Sequence, residues 1–233
     1  MEVFRRRKDR YHRMDYNMRL LGLDYTYFPA VDGKELTQLE MDQMGIRQLP
    51  GFSDPHHPRT ITRGEVGCFL SHYRIWERSV DHEMVIVLED DVRFKPYFIR
   101  ELHYLLKEAQ TLDWDLIYLG RKRGPGAQDD IERKVTERIT TATYSYWTIG
   151  YILRGRAART LIEERPLEKL VPVDEYLPIM YGAHKESKYA RHFNHKTLKA
   201  FSAEPVLLTP THYTGTFSKV TIIRFARISI SRR

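Results

Sequence analysis

Along this chain, short unbroken apolar runs alternate with stretches in which apolar residues recur at helical spacing. Met84-Val85-Ile86-Val87-Leu88 is an unbroken apolar run, partly β-branched and too short for a helix. It predicts a strand buried on both faces, the pattern typical of a parallel strand. Asp115 to Gly120, with Leu116-Ile117-Tyr118-Leu119 inside it, predicts a second buried strand. Ahead of the first run, Thr62-Arg63-Gly64-Glu65 matches a capping box, and Val66, Phe69, Leu70, Tyr73 and Trp76 continue at helical spacing. After it, Ile99 to Ala109 predicts an amphipathic helix.

The flanking segments follow the same logic. Met14, Met18 and Leu21 predict a helix that Gly22 closes. Tyr25 to Val31 reads as a short strand turned by Asp32-Gly33, and Leu36 to Met44 as a helix capped near Thr37. Val135 to Leu153, rich in Thr, Tyr and Ile, predicts strands interrupted around Trp147-Thr148-Ile149-Gly150, and Ala157 to Glu164 a helix. Pro172 and Pro178 bracket a short acidic turn, and Phe201 to Leu208 is a late strand. Strands alternating with helices predict a single α/β domain.

Composition narrows the function classes. A chain of 233 residues, 42% hydrophobic and 30% charged, builds one ordinary globular core rather than a disordered or fibrous chain. No apolar run reaches the roughly 20 residues of a membrane-spanning helix. Met1 to Phe4 leads straight into Arg5-Arg6-Arg7-Lys8, so no signal peptide is expected. The single cysteine, Cys68, excludes an internal disulfide. A net charge of +7 favours anionic partners, but no zinc finger, RNA-recognition motif or Arg-rich recognition helix accompanies it. Nucleic acid is not an expected partner.

The candidate chemistry lies where the first buried run ends, at Glu89-Asp90-Asp91. Ligands of open α/β sheets bind beyond the carboxyl ends of strands. Adjacent carboxylates repel one another unless a cation or a shared proton relieves them, and oxygen donors suit Mg²⁺ or Mn²⁺. The alternative is a solvated acidic turn. The basic run Arg5 to Arg13 reads either as a solvated helix face or as a clamp for a diphosphate.

Several of these segments also form a familiar set. They are Arg6-Arg7-Lys8-Asp9-Arg10, Ala30-Val31-Asp32-Gly33, Gly64-Glu65-Val66-Gly67-Cys68-Phe69-Leu70-Ser71-His72 and Leu88-Glu89-Asp90-Asp91. Trp114 to Arg123, Tyr144 to Thr148, Pro172 to Pro178 and Thr211-His212-Tyr213-Thr214-Gly215 follow in order. Together they resemble glycosyltransferase family 25, most closely its animal procollagen galactosyltransferase branch.

The resemblance implies a GT-A type fold, a Rossmann-like mixed sheet flanked by helices, over residues 1–215; 216–233 falls outside its pattern, a divergent basic tail expected to pack poorly or stay mobile. It also implies an apolar strand before the arginines, of which only Met1 to Phe4 stands here. The implied reaction moves galactose, with inversion, from UDP-galactose to hydroxylysine of collagen in the endoplasmic reticulum lumen. A divalent cation such as Mn²⁺ would be held by Asp90, Asp91 and His212. Arg6, Arg10, Asp32, Glu89, Asp90 and Gly150 would contact the nucleotide sugar. Inversion needs one base for the acceptor hydroxyl, and Asp174 or Glu175 would supply it. The same family includes an adhesion-type relative without transferase activity, so an inactive scaffold is the alternative.

Overall fold

A computed structural model describes residues 8–54, 58–123 and 131–211, and the backbone of residues 223–226. The elements run α1 (Lys8–Leu20), β1 (Tyr25–Phe28), α2 (Gln38–Gln43), α3 (Arg63–Ser79), β2 (Met84–Leu88) and β3 (Val92–Phe94). Next come α4 (Phe98–Ala109), β4 (Leu116–Arg123), β5 (Ile139–Thr141), β6 (Ser145–Arg154), α5 (Gly155–Glu163) and α6 (Val173–Met180). The described chain closes with α7 (Ser187–Ala190), β7 (Ala200–Ala203), β8 (Leu208–Pro210) and β9 (Ile223–Ala226). Seven strands form one sheet in the order β1-β9-β2-β6-β4-β7-β5, and β3 pairs with β8 apart from it. The sheet is mixed: β4 and β7 are parallel, whereas β2 runs antiparallel to both its neighbours, β6 and β9. The architecture is a single α/β domain, consistent with a GT-A type fold.

The β2 run shows how the layers are built. Successive side chains of a strand point to opposite faces. Val85 and Val87 enter one core with Phe69, Trp76, Leu161 and Tyr176 from α3, α5 and α6. Ile86 and Leu88 enter the other with Met14 and Met18 of α1 and Leu102 and Leu105 of α4. All four strand residues are buried, which contributes roughly 6–12 kcal/mol at about 1.5–3 per side chain. Two carboxylates about 4 Å apart near a protein surface repel by roughly 4 kcal/mol. The core therefore wins, and the strand holds its acids close together at its end.

Five expectations need correcting. The apolar run of β2 reports burial on both faces, and that alone does not fix strand direction; its partners are antiparallel. The expected interruption near Gly150 is absent from β6, which runs on unbroken; the irregularity lies in its pairing with β4, whose register shifts around Gly120. The acidic turn between the prolines is helix α6. Val173, Tyr176, Leu177 and Met180, one helical face, are all buried, and Pro172 at the N-cap has a backbone (φ −52°) that suits a helix start. The late strand is split into β7 and β8. Within the tail, the backbone of Ile223–Ala226 pairs with β1 and β2, where poor packing was expected; main-chain pairing depends little on side-chain identity. The rest of 216–233 lies outside the described residues.

One close approach fixes the start of α3. A Cβ on Gly67 would lie 2.5 Å from both Val31 O and Gly33 N, while Val31 N–H donates to Ser71 Oγ at 2.9 Å. Gly67→Ala should therefore push the Asp32-Gly33 turn away and lower stability by about 1–3 kcal/mol, measured by chemical denaturation. An unchanged unfolding midpoint would show that the turn yields freely.

Candidate functional site

The alternation that sorts the β2 side chains continues into its acids. Glu89, whose N–H donates to Ile149 O at 3.3 Å, turns towards α3, and its Oε1 lies 3.9 Å from His72 Nε2. Asp90 faces α1: Arg10 Nη1 donates to Asp90 Oδ1 at 3.1 Å and to Asp91 Oδ2 at 3.4 Å. One guanidinium nitrogen thus bridges two carboxylates. The Asp90 side chain is fully buried, whereas that of Asp91 is 32% exposed.

Arg13, one helical turn beyond Arg10, grips the main chain of the same loop. It donates to Asp90 O at 2.7 Å, to Val92 O at 2.9 Å and to Thr211 Oγ1 at 3.1 Å. Thr211 N–H in turn donates to Asp91 O at 2.5 Å. The strand end, α1 and the chain leaving β8 are therefore tied at one place. The i, i+3 spacing of Arg10 and Arg13 is the sequence signal for Arg13, which reading Arg5 to Arg13 as one basic run, a solvated helix face or a diphosphate clamp, does not single out.

From the opposite side comes α6. Asp174, in its first turn, accepts the Thr148 N–H at 2.8 Å through Oδ1. Burial above all, then the charges of Asp91, Asp174 and Asp90, pushes Glu89 well above the usual carboxylate range, with Arg10 opposing. Asp174 is thus electrostatically part of the same acidic group. Glu175, its neighbour, is not: its carboxylate is buried, accepting Tyr144 Oη–H at 2.7 Å and meeting His184 Nε2 at 2.6 Å. The Glu186 N–H donates to His184 Nδ1 at 3.0 Å, which places the ring proton on Nε2, facing Glu175. Glu175→Ala would strand these two buried donors, so a stability loss of about 1–3 kcal/mol is expected, read as a shift in denaturation midpoint. No shift would show that water replaces the carboxylate.

The remaining candidates make other contacts in the structure. Asp32 closes its own turn, its Oδ1 accepting Lys34 N–H at 2.9 Å. Gly150 pairs with Leu88 across β2 and β6, and a Cβ there would lie 2.7 Å from Leu208 Cδ1, so Leu208 occupies the space beside it. Arg6 and His212 lie outside the described residues.

Comparison with known proteins fits this arrangement. The family model described as "Glycosyltransferase family 25 (LPS biosynthesis protein)" matches residues 3–177. The chain belongs to glycosyltransferase family 25. It is 51% identical over 215 residues to a glycosyltransferase 25 family member of Aedes aegypti, covering 90% of this chain and 35% of that relative. It is 46% identical over 222 residues to procollagen galactosyltransferase 1-A of Xenopus laevis, covering 92% and 36% respectively. With procollagen galactosyltransferase 2 of Homo sapiens it shares 42% identity over 215 residues, covering 91% and 34%. The chain thus spans about a third of the length of these family 25 relatives. Among the described residues, no helix is long and apolar enough to cross a membrane.

Proposed function

We propose that this chain is a metal-dependent, inverting galactosyltransferase domain that moves galactose from UDP-galactose to hydroxylysine of a collagen-type polypeptide. The observation that carries the reading is the convergence, at the end of β2, of Asp90 and Asp91 with Arg10 on one side and Asp174 on the other. Relatives named procollagen galactosyltransferase support the substrate class, and an acceptor of that kind is consistent with a secretory-pathway enzyme, which we read as one of the endoplasmic reticulum lumen. Hard carboxylate donors around a site that a positive nitrogen already bridges fit a divalent oxygen-seeking ion such as Mn²⁺. Asp90 and Asp91 would hold it, joined by His212, a reading supported by the bond of the preceding Thr211 to Asp91 O. When bound, such an ion neutralises charge that develops on the departing diphosphate.

The chain's own residues supply the rest. Arg10, once released from the acids, is placed to pair with phosphate oxygens, and Arg6, outside the described residues, is expected to join it. Asp32, Glu89 and Gly150 remain the expected contacts to the nucleotide sugar. The acceptor hydroxyl oxygen attacks the anomeric carbon from the face opposite UDP. Its proton passes to the Asp174 carboxylate, while the bond to the phosphate oxygen breaks and its electron pair leaves with UDP. With both oxygens of Glu175 engaged by Tyr144 and His184, the base is Asp174.

A second reading keeps the fold without turnover, as a scaffold, and Arg10 favours it: a guanidinium bridging the acid pair is the neutralisation that an inactive relative would retain. The deciding experiment is transfer of labelled galactose from UDP-galactose, with Mn²⁺, to a deglycosylated hydroxylysine-containing collagen peptide. Acceptor-dependent incorporation supports the enzyme. Absence of both transfer and Mn²⁺ binding supports the scaffold, and release of sugar without acceptor dependence would make it a hydrolase.

A further inference from the structure

On the α3 side of the strand end lies a second group of metal-type ligands, whose cysteine and histidine the transfer reaction does not use. Cys68 and His72 stand at i and i+4 on α3, on one face and one turn apart, the spacing by which a helix presents two ligands to one ion. Glu89 reaches the same place from β2, and the ligand atoms of the three residues lie within 4.8 Å of one another.

His72 is the decisive member. Its side chain is fully buried, and its Nδ1 is held by Tyr151 Oη at 2.8 Å, a hydroxyl that also accepts from Trp76 Nε1 at 3.0 Å. The ring is therefore fixed in orientation by its outer nitrogen, as metal-bound imidazoles are. The other nitrogen, Nε2, has no hydrogen-bond partner among the described residues. It is aimed at Glu89 Oε1 across 3.9 Å, too far for a hydrogen bond. Burial also holds the imidazole neutral, drawing its pKa down to about 3, the protonation state in which a nitrogen lone pair can bind a metal.

We propose that Cys68, His72 and Glu89 form a site for a borderline-soft divalent cation of the zinc type, separate from the ion expected at Asp90 and Asp91. Thiolate, imidazole and carboxylate together suit zinc, whereas Mn²⁺ prefers oxygen donors. Zinc–ligand bonds of about 2.0–2.3 Å put tetrahedral ligand atoms roughly 3.3–3.8 Å apart, so the group needs only small side-chain adjustments to close on an ion. The separation of the two sites follows from the strand: Glu89 turns to α3 and Asp90 to α1. A cation here cross-links α3 to the end of β2 and neutralises the carboxylate that stands beside Asp91 and Asp174. The inference concerns metal binding alone and does not depend on sugar transfer.

The test uses the full 233-residue chain, stripped of metal and titrated with Co²⁺ as a spectroscopic substitute for zinc. The expected result is a thiolate-to-cobalt charge-transfer absorption that corresponds to one Co²⁺ per chain and that stoichiometric Zn²⁺ abolishes. Cys68→Ser should lose that absorption, and Glu89→Gln should weaken Zn²⁺ binding at least about tenfold. Asp91→Asn should keep the charge-transfer absorption. No charge-transfer absorption in the unsubstituted chain would overturn the proposal, and this arm needs no variant to fold. Its persistence in folded Cys68→Ser, or its loss in folded Asp91→Asn, would overturn it as well. Unaltered Zn²⁺ affinity in Glu89→Gln would do the same.

Discussion

Asp174→Asn should lower turnover by roughly 10²–10⁴-fold, the usual contribution of a positioned general base, with little change in KM for UDP-galactose. The asymmetry between the two constants is the informative part. Asn keeps an oxygen that can accept the Thr148 N–H, which Asp174 accepts at 2.8 Å, so the start of α6 stays in place. What disappears is the capacity to take a proton, and that capacity matters chiefly in the transition state. Steady-state kinetics on the variant, with thermal unfolding as a check of fold, reads both quantities. Wild-type turnover would remove Asp174 from the reaction. A parallel rise in KM would make it a residue that shapes the donor pocket.

Asp91→Asn should abolish Mn²⁺-dependent binding of UDP, with a loss of metal affinity greater than the 10–100-fold typical when only an outer-shell partner is removed. Stability should change by no more than about 1 kcal/mol, because the Asp91 side chain is 32% exposed and its bond to Arg10 is long, at 3.4 Å. Arg10 retains Asp90, at 3.1 Å, so the buried charge is not left alone. Calorimetry with Mn²⁺ and UDP measures the first effect and denaturant titration the second. Unaltered affinity would move the ion away from this pair.

Much of this arrangement was legible in the residues, for identifiable reasons. Thr62 and Glu65 form the reciprocal capping bonds at α3 that their spacing announced, and Thr37 with Glu40 does the same at α2, because capping is local. Burial of Val85 to Leu88 and Leu116 to Leu119 also followed from the apolar runs, yet strand direction did not, because hydrophobicity has no polarity along the chain. Helix α6 was misread because two prolines outweighed the helical spacing of Val173, Tyr176, Leu177 and Met180. At the site, the acids were visible as a cluster. The bridge from Arg10 spans 80 residues, and no local pattern encodes such a meeting. Likewise, Asp174 and Glu175 are adjacent in sequence and indistinguishable there; only the positions of Tyr144 and His184, on other segments, separate them.

The division of Glu89 and Asp90 between two faces has a consequence for how this segment can change its length. Substitutions within Met84 to Leu88 alter packing one residue at a time and leave the acids where they are. Insertion or deletion of a single residue there would reverse the parity of everything after it. The glutamate would then be presented to Arg10 and the first aspartate to His72, even if the strand stayed buried. Both faces would still find apolar residues, because the run is apolar throughout, so the fold has no strong means of rejecting the shifted frame. The count of residues from the core to the first carboxylate is thus a specification in its own right, separate from their identity. Length variation in this chain should therefore not be tolerated between Val85 and Glu89.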